Sequence, residues 1–132
     1  MVPAYEGETV SPGYREAYSI NPNLIAVNNV DENFQPIGGS VNLRVGKNRN
    51  PLRVQWQNGP RGQEDGSLAE PNGAFVEDVL WAALQRLEFF QKGQYRDRAN
   101  AIAITKIEEA LQALHNRTLE RAARGVEGKH EV

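Results

Sequence analysis

The chain has 132 residues, of which 39% are hydrophobic and 24% charged, a composition typical of one globular domain with its own core. Its net charge of -2 and pI near 5.7 argue against capture of a DNA or RNA polymer, because such proteins carry a dominant basic face. No segment has the character of a signal peptide or membrane span, and the absence of cysteine excludes disulfides and a thiolate nucleophile, so we expect a cytoplasmic protein.

The first part of the chain is predicted to form a short β-sheet. Residues 1–20 are rich in Pro, Gly and Ser and predict an irregular or loosely docked arm, which could become ordered only against a partner surface. Residues 21–58 predict antiparallel strands, beginning with the apolar run 24–27. Around the turn-rich residues 46–51, apolar and polar residues alternate, which predicts a β-hairpin with the apolar positions Val41, Leu43, Val45, Leu52, Val54 and Trp56.

Two arginines fall on the polar face of this predicted hairpin. Arg44 and Arg53 would repel each other there without an anion or a neighbouring acid, and no Asp or Glu occurs from Gln35 to Gln63. The sequence leaves two interpretations open, a pair of solvated arginines or a face that binds a small anion.

Residues 59–73 are rich in Gly and Pro and predict a loop. A connection of this length inside a compact domain is usually functional or mobile, which makes it a candidate lid. Its GPRGQEDG stretch is not a phosphate loop, because the lysine and hydroxyl residue that follow the last glycine of such loops are missing.

Residues 74–124 predict two helices, and residues 125–132 a tail. The first helix, over about 74–91, has an apolar stripe with steps of three and four through Val76, Leu80, Ala83, Leu87 and Phe90. The second begins near Arg96 and stops at Gly125, and its stripe changes from apolar to basic through Ile104, Ile107, Leu111, Leu114, Thr118 and Arg121. The predicted class is α+β, an N-terminal antiparallel sheet followed by a long antiparallel two-helix hairpin in one domain over 1–132.

The second helix ends in a basic cluster of Arg117, Arg121 and Arg124. One interpretation is that these cations complement the negative end of the helix dipole, with Glu120 pairing to Arg124. The other is that Arg117 and Arg121, one turn apart, form a fork for phosphate oxygens. Spacing alone leaves both open.

Groups that could bind the rest of a nucleotide lie at the opposite end of the hairpin. Phe90 could stack on a base and Asn100 could read its edge, although core packing is the alternative for Phe90. Because one antiparallel hairpin keeps these residues away from its own arginines, we expect two chains packed head to tail to complete two equal pockets.

Catalytic and metal chemistry are not expected. The only histidines are His115 and His130, and no serine has the pattern of a nucleophile elbow. The residue three before His115 is Gln112, so a helical Glu-x-x-His ligand pair is missing. We therefore expect a binding protein with no catalytic residues, no metal and no cofactor.

The second half of the chain resembles a known family. The run NGAFVEDVLWAALQRLEFFQ, followed by RANAIAITKIEEALQALHNRTLERAARGVEG, resembles the phage Thoeris anti-defence sponge family, and VQWQNGP with the strands before it is similar to that family's sheet. The resemblance covers roughly residues 40–130. The hairpin is also similar to that of the anti-CBASS sponges, which lack the sheet.

The resemblance implies a homo-oligomer that binds glycocyclic ADP-ribose, an immune messenger made by a TIR enzyme, and holds it intact in the cytoplasm of the infected bacterial host. By motif, Arg117 and Arg121 match the family's phosphate-binding arginines, Phe90 its stacking position and Asn100 its base-contacting position. Some relatives also bind cyclic di- or trinucleotides at a second site. Further candidate ligand contacts are Arg124, Trp56 and Arg61.

Two alternative functions stay open. One is a sponge for the cyclic di- or trinucleotides of CBASS immunity, and the other is a non-catalytic oligomeric protein-interaction module whose arginines bind an acidic protein patch. In each case we expect a homodimer or higher homo-oligomer that binds neither a nucleic-acid polymer nor a membrane.

Overall fold

The computed structural model describes residues 4–6 and 18–124, and the chain forms two compact units. The first holds the sheet together with Glu70–Ala74, and the second holds Arg61–Ala69 and the helices. The predicted α+β class is confirmed. The single domain over 1–132 stays a prediction, and the predicted helix stop at Gly125 and the tail 125–132 lie outside the described residues.

The sheet has four antiparallel strands in the order of the chain. They are β1 (Ala4–Glu6), β2 (Leu24–Val30), β3 (Pro36–Val45) and β4 (Arg49–Gln55). Residues 4–6 of the predicted irregular arm form β1, whose backbone pairs with β2 of the same chain, contrary to the prediction for these residues. Residues 1–3 and 7–17 of the arm lie outside the described residues.

The predicted β3–β4 hairpin is confirmed. Val41 lies opposite Val54 and Leu43 opposite Leu52, so these apolar side chains share one face. Val54 is the buried residue of this face, with 9% of its surface exposed. Trp56 lies just beyond the end of β4, contrary to the prediction. Its backbone N–H still bonds the carbonyl oxygen of Gly39 in β3 at 2.9 Å, and it forms a parallel bridge with Ala74.

The first half of β3 was not predicted as a strand. It contains Pro36, Gly38 and Gly39, which are poor strand formers. Pairing overrides this propensity, since Gly38 lies opposite Asn29 and Gly39 opposite Asn28 of β2. Gly39 has a φ of +147°, and a Cβ there would lie 2.0 Å from the carbonyl oxygen of Val27.

The Gly- and Pro-rich connection contains two hydrogen-bonded parts. In the second unit, Gly62 and Leu68 form a bridge, and the Arg61 Nε donates to the carbonyl oxygen of Ala69 at 2.7 Å. Between them, the hydrogen bond from the Ser67 hydroxyl lowers the pKa of Asp65. In the first unit, the Asn72 side chain bonds the backbone of Asn58 in both directions at 2.8 Å. The role of residues 59–73 as a lid stays a prediction.

Two helices form the hairpin, α1 (Val76–Gln91) and α2 (Arg98–Ala123). At the start of α1 the Asp78 carboxylate accepts from the backbone N–H of Phe75 at 2.8 Å. At the start of α2 the Asp97 carboxylate accepts from the backbone N–H of Ala99 at 2.7 Å. Each carboxylate accepts a hydrogen bond from a backbone N–H group that has no acceptor within its helix. Its negative charge is also favourable at the positive end of the helix dipole.

The predicted stripe of α2 is confirmed, and that of α1 is corrected. All six stripe residues of α2 are half-buried. In α1, Val76 and Ala83 are exposed, whereas Leu84, absent from the predicted stripe, is buried with 3% exposure. Steps of four and three fit Leu80, Leu84 and Leu87 equally well, and the leucine buries more apolar surface than Ala83 would.

No helix within residues 18–124 is long and apolar enough to cross a membrane.

We predict that Gly39→Ala destabilises the protein strongly. The new Cβ would force β3 away from Val27 and would strain a backbone that favours glycine, at a combined loss of at least about 2 kcal/mol in the free energy of unfolding. Urea denaturation measures this loss. Gly93→Ala is the matched control, since nothing lies within 4 Å of a Cβ there; equal stability of the two variants would contradict the described packing.

Candidate ligand-binding site

An aromatic cluster lies at the turn end of the hairpin. The Phe90 ring centroid is 6.1 Å from that of Tyr95 in an edge-on arrangement and 6.4 Å from that of Phe89. The guanidinium carbon of Arg86 lies 4.9 Å from the Phe90 centroid and 5.5 Å from the Phe89 centroid. Phe89 and Tyr95 are about two-thirds exposed, at 65% and 67%, so this end presents both π-faces and a cation to a ligand.

Asn100 is fixed beside this cluster by the turn. Its Nδ2 donates to the carbonyl oxygen of Tyr95 at 2.9 Å and to Oε1 of Gln91 at 3.3 Å. Gln91 Oε1 also accepts from the backbone N–H of Asp97 at 2.8 Å. The amide N–H groups of Asn100 are thus used inside the hairpin, which leaves its Oδ1 as the group suited to accept from a ligand.

The predicted arginine fork lies at the other end of α2. Arg117 is exposed and Arg121 is half-buried, in agreement with the position of Arg121 on the inner stripe. Arg124 ends the helix, where its backbone N–H bonds the carbonyl oxygens of Glu120 and Arg121. A cation at this end also suits the helix dipole.

One chain does not bring the two halves of the predicted site together. Phe90 and Asn100 both contact Tyr95 at the turn. The 21 residue-to-residue steps from Asn100 to Arg121 rise about 32 Å along one continuous helix. The separation agrees with the sequence argument that a pocket with both halves needs two chains.

The two remaining candidates belong to different units. Trp56 is half-buried in the sheet unit, and Arg61 is half-buried in the hairpin unit. Arg61 uses its Nε to hold the loop at Ala69, so at least part of this side chain has a structural role.

Sequence reasoning missed Arg86 and Gln91. Arg86 precedes Phe90 by four residues, a spacing that places side chains together on a helix and could have revealed it. The roles of Gln91 and Tyr95 depend on the path of the turn, for which the sequence carries no comparable periodicity. Among residues 18–124, no group of three or more His, Cys, Asp or Glu side chains could hold a metal ion.

Fold and candidate site together define an α+β protein with a two-helix hairpin that has aromatic and amide groups at one end and arginines at the other. Residues 49–119, just over half of the chain, match the model of the Acb2/Tad1 hairpin domain. The chain is also similar to Thoeris anti-defense 1 of Bacillus phage SBSphiJ7, with 52% identity over 60 residues. This chain belongs to the Acb2/Tad1 hairpin family, and its resemblance to the anti-defence sponges is confirmed.

The extent of these matches bears on the site. The match to the phage protein covers 46% of this chain and 42% of that protein, so less than half of the relative is represented. Phe90, Asn100 and Arg117 fall inside the family match, whereas Arg121 and Arg124 follow its last residue, 119.

We predict that Asn100→Ala loosens the hairpin turn. Loss of the bond to the Tyr95 carbonyl should lower the free energy of unfolding by about 1 kcal/mol, because that group then loses its side-chain donor. Urea denaturation with helical circular dichroism as the signal is the measurement. Asn116→Ala is the control, since the exposed Asn116 side chain bonds only its neighbour Gln112 among the described residues and alanine favours the helix. An equally stable Asn100→Ala variant would leave Asn100 without the structural role described above.

Proposed function

We propose that this protein is a phage anti-defence sponge that binds glycocyclic ADP-ribose without degrading it and so inhibits Thoeris defence in the cytoplasm of the infected host. Its family membership supports anti-defence, and the hairpin supports a ligand with both a base and phosphates. The observation that carries the proposal is that one hairpin bears an aromatic ring and an amide, Phe90 and Asn100, at its turn end and two arginines, Arg117 and Arg121, at its other end.

The chemistry of each end suits one part of a cyclic ADP-ribose. Phe90 supplies a ring for stacking, Asn100 Oδ1 can accept from a base amino group, and guanidinium groups form charge-assisted forks with phosphate oxygens. Phe90, Asn100 and Arg117 also lie within the matched family segment, which favours a shared use of these positions.

The distance of about 32 Å from Asn100 to Arg121 requires a second chain in the site. We infer a homodimer or larger homo-oligomer in which the arginines of one subunit face the aromatic end of its mate, and two-fold symmetry then gives two equal pockets. Large apolar side chains exposed on the helices favour such an interface, namely Trp81, Phe89, Ile102 and Leu119.

A sponge acts by affinity alone. A messenger present at low concentration is removed only if binding is tight, and a Kd near 1 nM corresponds to about 12 kcal/mol of binding free energy. Calorimetry with glycocyclic ADP-ribose tests binding, and mass spectrometry of the ligand released by denaturation tests its integrity. Weak or no binding, or recovery of a degraded product, would overturn the proposal.

A second candidate ligand class is favoured by the hairpin's similarity to the anti-CBASS sponges. Cyclic di- or trinucleotides also combine bases with phosphates, and the family resemblance implies a separate site for them. Competition calorimetry distinguishes the cases: full displacement of glycocyclic ADP-ribose indicates one shared site, and independent binding indicates two. If the protein binds neither class but captures one host polypeptide, the protein-interaction module is the correct function.

We predict that Arg121→Ala weakens binding of glycocyclic ADP-ribose by at least about a hundredfold while the oligomer persists. Two charge-assisted hydrogen bonds to phosphate contribute about 1.5 kcal/mol or more each, which gives this factor. Calorimetry measures affinity, and light scattering measures assembly. Lys106→Ala removes a cation from the same helix at a position that is 70% exposed, and it should retain full affinity. Equal effects of the two substitutions would remove the arginine fork from the proposal.

We predict that two inactive variants restore binding when mixed. Phe90→Ala/Asn100→Ala lacks the base end, and Arg117→Ala/Arg121→Ala lacks the phosphate end. After unfolding and joint refolding at equal amounts, about one quarter of the sites should combine two intact ends if each site is shared between subunits. Calorimetric stoichiometry measures this fraction, with each variant refolded alone as the control. Recovery of no sites would mean that a single chain builds the pocket.

A further inference from the structure

A cleft of about 710 Å³ lies on the polar face of the sheet, within the first unit. Ile25, Asn42 and Arg53 form one row across β2, β3 and β4, since Asn42 lies opposite both of the others, and all three line the cleft. Arg44 lines it as well, just beyond Asn42 on β3. Its volume lies within the range of about 300–1,000 Å³ typical of small-molecule sites.

The described residues that line the cleft include two arginines and no Asp or Glu. β2, β3 and β4 contain no Asp or Glu, so Arg44 and Arg53 share one face with no carboxylate in their own strands. Within residues 18–124 neither arginine forms a salt bridge. Neither lies at a helix end, where a dipole would explain it. Two such guanidinium groups lining one cleft are a favourable arrangement for an anion with several oxygens, such as a phosphate.

The amide groups of the cleft are held in place by one another. Asn50 donates from Nδ2 to Oδ1 of Asn42 at 3.1 Å and accepts the backbone N–H of Leu43 at 3.2 Å. Asn42 in turn donates to the Ser40 hydroxyl at 3.4 Å. A polar wall fixed in advance lowers the ordering cost of binding, and amides can pair with the edge of a base.

A smaller cleft of about 300 Å³ continues along the same strands. It shares Ser40 and Gln55 with the larger one, and these two residues lie opposite each other on β3 and β4. Asn29 and Asn58 line it, and neither is charged. The combined groove therefore has a cationic end and a neutral amide-rich end, which matches a molecule with phosphates at one end and a heterocycle at the other.

We propose that the polar face of the sheet binds a free nucleoside phosphate, with its phosphates at Arg44 and Arg53 and its base along the amides toward Asn29 and Asn58. This site consists of residues of the sheet unit alone and is independent of the function proposed for the hairpin. The phosphates of a nucleic-acid strand share this chemistry, but the net charge of -2 and the small volume favour a free nucleotide.

The test uses calorimetry on the full chain with ADP, pyrophosphate, adenosine and a twenty-residue oligothymidylate. We expect ADP to bind more tightly than pyrophosphate or adenosine, because it uses both ends of the groove. Arg44→Gln/Arg53→Gln should weaken ADP binding at least about tenfold, because charge-assisted hydrogen bonds to the phosphates are lost. The ADP affinity of Arg44→Lys/Arg53→Lys should lie between those of this variant and the wild type, since lysine keeps the positive charge but not the bidentate geometry of the guanidinium group.

Two controls make the result decisive. Lys47→Gln/Arg49→Gln removes the same charge from the same hairpin at positions that do not line the cleft, and it should change ADP affinity less than about threefold through long-range electrostatics. Arg117→Ala/Arg121→Ala should leave ADP binding intact whether or not the hairpin binds its own ligand. Circular dichroism confirms that each variant is folded.

Four outcomes would overturn the proposal. They are no binding of ADP by the wild type, equal losses in the two glutamine double variants, preference for the oligothymidylate, and loss of ADP binding in the hairpin variant. The last two would assign the phosphate chemistry to a polymer or to the hairpin.

Discussion

The length of α2 determines how the proposed site can be assembled. A continuous helix from Arg98 to Ala123, begun by the Asp97 cap, holds Asn100 and Arg121 about 32 Å apart whatever their rotamers. No rearrangement of side chains closes such a gap. A ligand that contacts both ends must therefore lie between molecules, and affinity then depends on protein concentration through assembly as well as on the contacts themselves.

The distribution of apolar surface also favours assembly of more than one chain. Within the described residues only Val54 and Leu84 are buried hydrophobic residues, while Trp81 and Leu119 are more than half exposed. Apolar burial is the main favourable term in folding, and isolated helix pairs bury little of it. Assembly between hairpins would cover such side chains and would position the two ends of the site in the same step, so stability and binding would be coupled.

The sequence predicted the parts of the structure in which periodicity and burial agree. The stripe of α2 follows from apolar steps of three and four, and the shared face of Val41 and Val54 follows from alternation along the two strands. Prediction failed at the glycine-rich start of β3, where long-range pairing determines that a strand forms. It also failed in α1, where side-chain size determines that Leu84 takes the buried position instead of Ala83. In the candidate site, Phe90 and Asn100 were identified, but the turn that fixes Asn100 through Gln91 and Tyr95 has no signal of its own in the spacing.

The two groups of arginines carry different weight as indicators of a ligand. Arg121 and Arg124 lie at the C-terminal end of a helix, where the dipole already favours a cation, so their presence has a structural reason apart from any ligand. Arg44 and Arg53 have no such reason, because a sheet has only a small net dipole and their strands contain no acid. For the hairpin arginines, the indication of a ligand comes from the family match and from the groups at the other end of the helix. For the sheet arginines, it comes from the cleft that they line.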